Sequence, residues 1–264
     1  MKQLIKSLIP PIFINILHRY KNRKYGWFGD YATWEEAKKA STGYDSDAIL
    51  QKVRMSLLKV KNGEAVYERD SVIFEEIQYS WPLLSGLLLA ASSSNGNLRV
   101  LDFGGSLGST YYQNKKFLDR LNSVSWSIVE QKHFVDIGKI DFEDDRLKFY
   151  YDVTECVKEQ KPNVLILSSV LQYIEEPYLL IKYFLTFEFD TIIIDRTVFG
   201  NQNFSTISVQ HIPNNIYNKT SIPSHLLSLT TLYSLINHKY DLIEEWSSYQ
   251  TNQLSEKGSI WKIK

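Results

Sequence analysis

Cysteine is almost absent. Cys156 is the single one in 264 residues, so no disulfide can close within the chain and a small secreted, disulfide-stapled scaffold is excluded. Histidine is sparse too. The five histidines (His18, His133, His211, His225, His238) include no pair four residues apart and no metal-site spacing, so no metal is expected. Net charge is missing as well, because thirty basic and thirty acidic residues cancel. Proteins that track a nucleic-acid backbone carry a basic excess or stripe, so nucleic acid is not the expected partner. The apolar run near the N-terminus, Leu8 to Leu17, is ten residues long and contains Pro10-Pro11, too short to cross a bilayer.

What is present is ordinary for a globular chain: 44% apolar and 23% charged residues, with aromatics at 14%. Tyrosine is abundant (17 residues) beside six tryptophans, which suits an aromatic-lined cleft or an aromatic core equally well. The length allows one sizeable α/β domain with a modest extension. The first 24 residues hold six positive charges (Lys2, Lys6, Arg19, Lys21, Arg23, Lys24) and no negative one. No small-residue cleavage site follows the apolar run, so a signal peptide is not expected and the chain reads as cytoplasmic. Two readings of this segment stay open. It is an arm lying on the domain or on a partner subunit, or a basic amphipathic stretch resting on the anionic inner-membrane face. Oligomeric state is not legible.

The chain divides into a basic and apolar arm (1–25), a helical cap (26–92) and a Rossmann-like ligand-binding domain (93–264). Within the cap, Thr33-Trp34-Glu35-Glu36 is a capping box. Ile49, Val53, Leu57 and Val60 repeat with a helical period that Asn62-Gly63 stops. A further helix is expected over Ser71 to Ala91, bent or restarted at Trp81-Pro82. From residue 98 the pattern changes to strands at Leu98–Phe103, Ser125–Glu130, Leu147–Tyr151, Val164–Ser168 and Thr191–Asp195, alternating with helices. A helix over Ser224 to His238 and two last strands, Tyr240–Ser247 and Ser259–Ile263, complete an α/β, mostly parallel, doubly wound sheet.

Val100-Leu101-Asp102-Phe103-Gly104-Gly105-Ser106-Leu107-Gly108 carries the chemistry. Glycines let the backbone turn tightly and approach a ligand, and the following helix points its N-terminus at that ligand. Asp102 stands two residues before Gly104. A dinucleotide would bring its pyrophosphate to such a turn, where a carboxylate repels it. S-adenosylmethionine has no phosphate, and its ammonium and sulfonium are attracted. Glu130, 26 residues after Gly104, ends the next strand, where a carboxylate accepts from both ribose hydroxyls; Gln131 follows it. Asp152 with Val153 is placed to meet the adenine, or Asp152 only caps the next helix. Ser168 and Ser169 end the fourth strand beside the cofactor, or only terminate it.

The segments LDFGGSLGSTYYQN (101–114), WSIVEQ (126–131) and SSVLQYIEEP (168–177) resemble class I methyltransferases. GDYATWEEAKKASTGYDSDAIL (29–50), YERDSVIFEEIQYSWPLL (67–84) and DRTVFGNQNFSTISVQHIPNNIY (195–217) are similar to a family of methyltransferases associated with bacterial surface-polysaccharide gene clusters. The resemblance spans roughly residues 25 to 264. It implies a Rossmann-like class I methyltransferase fold with a seven-stranded sheet and an N-terminal helical extension. It also implies S-adenosylmethionine as donor and S-adenosylhomocysteine as product. The fourth strand's Leu167-Ser168-Ser169-Val170 lacks the Asn/Asp-Pro-Pro-Tyr with which base-amino methyltransferases grip an exocyclic amine.

The acceptor is then expected to be a small molecule or glycan precursor, a sugar or a phosphate-bearing group. A sugar hydroxyl is a weak nucleophile at neutral pH and needs a nearby base. The segment after the fifth strand supplies candidates: His211 as base, Asp195 as its rival, and Arg196 for an acidic group on the acceptor. Gln210 and Tyr217 are expected to bind acceptor, as are Glu68, Arg69 and Asp70, unless those three only form a salt-bridged helix start. Two other functions compete: an NAD-linked oxidoreductase or epimerase of surface sugars, which Asp102 disfavours, and a non-catalytic scaffold that binds the methyl donor.

Overall fold

The computed structural model describes residues 24–43, 46–214, 216–217, 220–251 and 254–264. Nearly all of the basic N-terminal arm therefore lies outside the described residues, and its two readings with it. From the N-terminus the elements run β1 (Gly26–Tyr31), α1 (Trp34–Ala40), α2 (Ser46–Lys61), β2 (Tyr67–Arg69), β3 (Val72–Phe74) and α3 (Trp81–Ser93). There follow β4 (Asn97–Phe103), α4 (Ser109–Leu118), β5 (Ser123–Val129), α5 (Lys132–Asp141), β6 (Leu147–Tyr150), α6 (Val153–Gln160) and β7 (Val164–Ser168). After a single 3-10 turn come α7 (Pro177–Phe184), β8 (Thr191–Gly200), β9 (Thr206–His211), β10 (Ser221–Leu226), α8 (Leu229–Ile236), β11 (Tyr240–Gln250) and β12 (Leu254–Ile263). Among the described residues no helix is long and apolar enough to cross a membrane.

The described residues fall into two compact units: 24–43 with those of 207–224, and 46–206 with those of 225–264. The first is built on the sheet β1-β9-β10, with β1 antiparallel to β9 so that Gly26 faces His211 and Trp27 faces Gln210. The capping box is present: Thr33 Oγ1 accepts from Glu36 N at 3.2 Å, and Glu36 Oε2 accepts from Ala32 N at 3.1 Å.

The second unit holds a seven-stranded sheet in the order β11-β12-β8-β7-β4-β5-β6. Strands β4 to β8 are parallel, and β12 runs antiparallel to both β8 and β11. The doubly wound, mostly parallel sheet expected of the chain is thus present, with its reversal of order between β4 and β7. Helices cover both faces, so the central strands read as unbroken apolar runs: Val164, Leu165, Ile166 and Leu167 are fully buried. The helical period in α2 also holds, since Ile49, Val53 and Leu57 are its buried face.

The cap is not the all-helical segment expected. β1 occupies its start, and Ser71 to Ser80 is not helix. Instead β2 and β3 form a hairpin whose Arg69 pairs with Val72. Its two turn residues, Asp70 and Ser71, have φ of 52° and 68°, the positive pair a tight hairpin turn needs. Asp-Ser carries that turn poorly on its own. Glu68 Oε2 supplies the missing hold by accepting from Ser71 N at 3.1 Å. Only at Trp81 does the helix begin, with Pro82 in its first turn where proline is tolerated. Likewise the helix expected over Ser224 to His238 is strand β10 up to Leu226, then α8, capped by Ser228 Oγ accepting from Thr231 N at 3.2 Å.

Candidate active site

The carboxyl ends of β4, β5, β7 and β8 converge beside the strand-order reversal, where open α/β sheets bind ligands. After β4 the chain turns through Gly104 (φ 71°), Ser106 (φ 55°) and Gly108 (φ 105°) into α4. Gly104 N donates to Val129 O at 3.0 Å, tying the turn to β5. A Cβ on Gly104 would stand 2.5 Å from Val170 Cγ2, and one on Gly105 would stand 2.6 Å from the Asp102 carboxylate. At either glycine a Cβ would therefore force a neighbouring side chain to shift.

Asp102 is buried, and Trp126 Nε1 donates to its Oδ2 at 3.1 Å. Burial pushes its carboxyl up to about 7; the tryptophan bond opposes this and nearby Glu130 adds to it. Glu130 bridges two loops. Its Oε1 accepts from Ser106 N at 3.3 Å and its Oε2 from Gln131 N at 2.7 Å. A carboxylate offers about four acceptor positions, so about two stay open on Glu130, as a vicinal diol requires. Burial raises its pKa as well.

The remaining cofactor-side candidates divide. Asp152 caps α6, its Oδ1 accepting from Thr154 N at 2.7 Å and Glu155 N at 3.1 Å, so the capping role is real. Val153 is buried in the core with Val129 and Tyr150, and Gln131 is exposed at the start of α5. Ser168 Oγ donates to Asp195 Oδ2 at 3.1 Å, and Ser169 N donates to Asp195 O at 2.9 Å.

Asp195 and Arg196 form a bulge. Between the pairs Ser259↔Ile194 and Lys257↔Thr197, two residues of β8 face one of β12, and Arg196 takes φ 47°. A bulge re-aims side chains at a strand end. Arg196 lies with Nε 3.7 Å from Asp195 Oδ2 and Nη1 4.0 Å from Asp70 Oδ2. Asp195 is buried, and burial raises its pKa.

The triplet Glu68-Arg69-Asp70 does not open a helix; it is strand β2 and its turn. Glu68 is buried, and Ser109 Oγ in the first turn of α4 donates to its Oε1. Burial lifts Glu68 to about 7, against the Ser109 bond. Asp70 reaches Arg196, whereas Arg69 turns to Gln78 Oε1 at 3.1 Å and the Phe74 ring. Sequence reasoning missed Gln172. It is buried, and its Nε2 donates to Ser169 Oγ at 3.4 Å and Arg196 O at 3.3 Å. Nothing in the local pattern marks it, because a 3-10 turn has no periodicity to read. Gln210, His211 and Tyr217 belong to the other compact unit. There His211 is exposed, with Phe28 edge-on at 5.1 Å; Tyr217 is buried. Among the described residues no group of three His, Cys, Asp or Glu could hold a metal ion.

Sheet order, the antiparallel β12 and the glycine turn at the reversal together define a doubly wound, Rossmann-like α/β fold. No family model matches the chain, and no curated protein matches its sequence. Solved structures similar to it include the N-terminal domain of EvdMO1 in the presence of SAH and D-fucose, at 12% identity, covering 84% of this chain and 98% of that one, with a TM-score of 0.49. Magnesium protoporphyrin IX methyltransferase from Synechocystis PCC 6803 with bound SAM is 9% identical, covering 84% and 99%, with a TM-score of 0.45. The 1,6-didemethyltoxoflavin-N1-methyltransferase of Burkholderia thailandensis, with its substrate and S-adenosylhomocysteine, is 10% identical, covering 90% and 93%, with a TM-score of 0.42.

Proposed function

We propose that the chain is an S-adenosylmethionine-dependent methyltransferase whose donor lies along Asp102 to Gly108 and Glu130. One observation carries this reading. A glycine turn in which a Cβ on Gly104 or Gly105 would collide with a neighbouring side chain is flanked by a buried carboxylate with no ion-pair partner among the described residues and by a second carboxylate with open acceptor positions. That donor set fits a cationic, diol-bearing nucleoside and opposes a diphosphate, which disfavours the NAD reading. When bound, the cofactor supplies an electrophilic methyl group. The chain's residues align the acceptor and take up its proton. Asp152 and Val153 are proposed on the adenine side, and Ser168 and Ser169 beside the cofactor.

For the acceptor we favour a sugar hydroxyl of a surface-glycan precursor. Arg196 is already flanked by Asp70 and Asp195, which supports a neutral acceptor over a phosphate-bearing one. His211 is the proposed base. Asp195, the rival, has one oxygen committed to Ser168 and Arg196. The expected result for His211→Ala is a roughly 100-fold slower transfer of labelled methyl to extracted surface glycan, with unchanged affinity for S-adenosylhomocysteine. Unchanged turnover would move the base elsewhere.

Calorimetry with S-adenosylhomocysteine tests the cofactor; no heat at millimolar ligand ends the reading. Glu130→Ala is expected to weaken that binding by about 1–3 kcal/mol, the worth of hydrogen bonds to a charged acceptor. Wild-type affinity in this variant would remove Glu130 from the ribose.

A further inference from the structure

Helix α3 is apolar on both sides. Between Glu76 and Arg99 the chain carries no charged residue, and α3 fills most of that stretch. Its inner face, which includes Leu83, Leu87 and Ala90, is buried. It lies so close to the sheet that a Cβ on Gly86 would stand 2.9 Å from Ile193 Cδ1 of β8 and 3.1 Å from Ile260 Cδ1 of β12. The outer face is a single stripe of Trp81, Ser85, Leu88, Leu89 and Ser92, spaced as one side of a helix. Trp81 is 58% exposed, Leu89 42% and Leu88 38%. Scattered exposed leucines are ordinary on a surface. A continuous uncharged stripe led by a tryptophan marks an interface.

Three features of the stripe describe its occupant. The hydroxyl at its centre is already satisfied, because Ser85 Oγ donates to Trp81 O at 2.8 Å, so covering it strands no donor. The Trp81 indole is held in place, with ring centroids of Tyr79 at 4.8 Å and Phe117 at 6.0 Å, so docking takes little freedom from it. The stripe is also its own complement. Laid antiparallel on a second copy so that Trp81 meets Ser92, it brings Ser85 against Leu88, and in each pair a large side chain faces a small one. That reciprocity is what a two-fold interface requires. We propose that the outer face of α3 joins two copies of this chain as an antiparallel, two-fold helix pair. The pairing uses no residue of the cofactor cleft and stands apart from the methyl-transfer reading.

Sedimentation velocity on the full chain, from about 1 to about 200 μM, tests this, since an interface of modest area associates in roughly that range. The wild type should pass from monomer to dimer as concentration rises. Trp81→Glu should raise the dissociation constant at least roughly 100-fold, because tryptophan anchors dominate interfaces and a two-fold applies each substitution twice. Ile140→Glu, at a 78% exposed apolar position on α5, should change nothing. Ser92→Lys, at an exposed serine, should weaken the pair as well, and melting temperatures keep loss of pairing distinct from loss of fold. Combining Trp81→Glu with Ser92→Lys should recover part of the dimer, in a salt-dependent way. These positions are eleven residues apart in one helix, roughly 16 Å, so their charges meet only across the two-fold. A wild type that stays monomeric throughout, or a dimer indifferent to Trp81→Glu and Ser92→Lys, overturns the proposal. A combined variant no better than Trp81→Glu alone overturns the antiparallel register. A monomer that instead floats with phosphatidylglycerol vesicles, and ceases to on Trp81→Glu, gives the face to a membrane and overturns the pairing.

Discussion

Gly104→Val should abolish detectable binding of S-adenosylhomocysteine and lower the melting temperature. Two costs add. The residue sits at φ 71°, where a β-branched side chain is strained by about 1–3 kcal/mol. Its Cβ would also stand 2.5 Å from Val170 Cγ2, and Val170 packs against the core cluster that includes Leu167 and Leu171, so it has little room to retreat. Together these predict a loss of roughly 3 kcal/mol or more. Adding Val170→Ala separates the effects. The clash is relieved and part of the stability returns, while the strain at φ 71° in the turn remains, so binding stays lost. Thermal unfolding and calorimetry on the three proteins check this. A single variant that binds with wild-type affinity would place the donor elsewhere.

The same turn explains why some of the molecule can be read from its residues and some cannot. Strand β7 lies where Val164 to Ser168 place it, and β4 within one residue of Leu98 to Phe103, because buried parallel strands bounded by polar loops advertise themselves in composition. That Asp102 and Glu130 stand beside the glycine turn is legible because strand ends and glycine turns mark chain position. The hairpin β2–β3 is not. Its strands have three residues each, too few to show a period, and its turn is Asp-Ser, held by Glu68 from outside the turn. Tertiary contact, not propensity, decides that segment. β10 hides for a different reason. Ser221-Ile222-Pro223-Ser224-His225 has a proline that argues against a strand, yet this strand stands last in its sheet, where proline is tolerated. The Asp195-Arg196 bulge depends on register with β12, which no local pattern encodes.

Asp102→Asn should have opposite effects on stability and on ligand affinity. The folded carboxyl sits at about 7 against an ordinary 3.8, so between these values the native state holds more protons than the unfolded one. Its contribution to stability therefore falls as pH rises through that window, and above it the buried charge costs about 4 kcal/mol. Glu68, lifted to about 7 from 4.5, adds a slope of the same sign. His225, whose pKa is lowered by burial, contributes the opposite slope below its ordinary value, but it is common to both proteins and cancels in the comparison. An asparagine keeps an oxygen for Trp126 Nε1 and leaves a buried amide to satisfy. The expected net gain at about pH 8 is then about 1–3 kcal/mol, or roughly 3–8 °C in melting temperature. Donor binding moves the other way. A cation favours the ionised carboxyl, so binding in the wild type should release protons near neutrality and strengthen as pH rises to about 8, whereas the variant should bind S-adenosylmethionine roughly 10- to 100-fold more weakly and with a flatter pH profile. Melting curves from about pH 5 to 8, with and without donor, measure both slopes. A variant less stable than the wild type at the upper end, or one that keeps full affinity there, would mean that Asp102 is not a charge held in readiness for a cation.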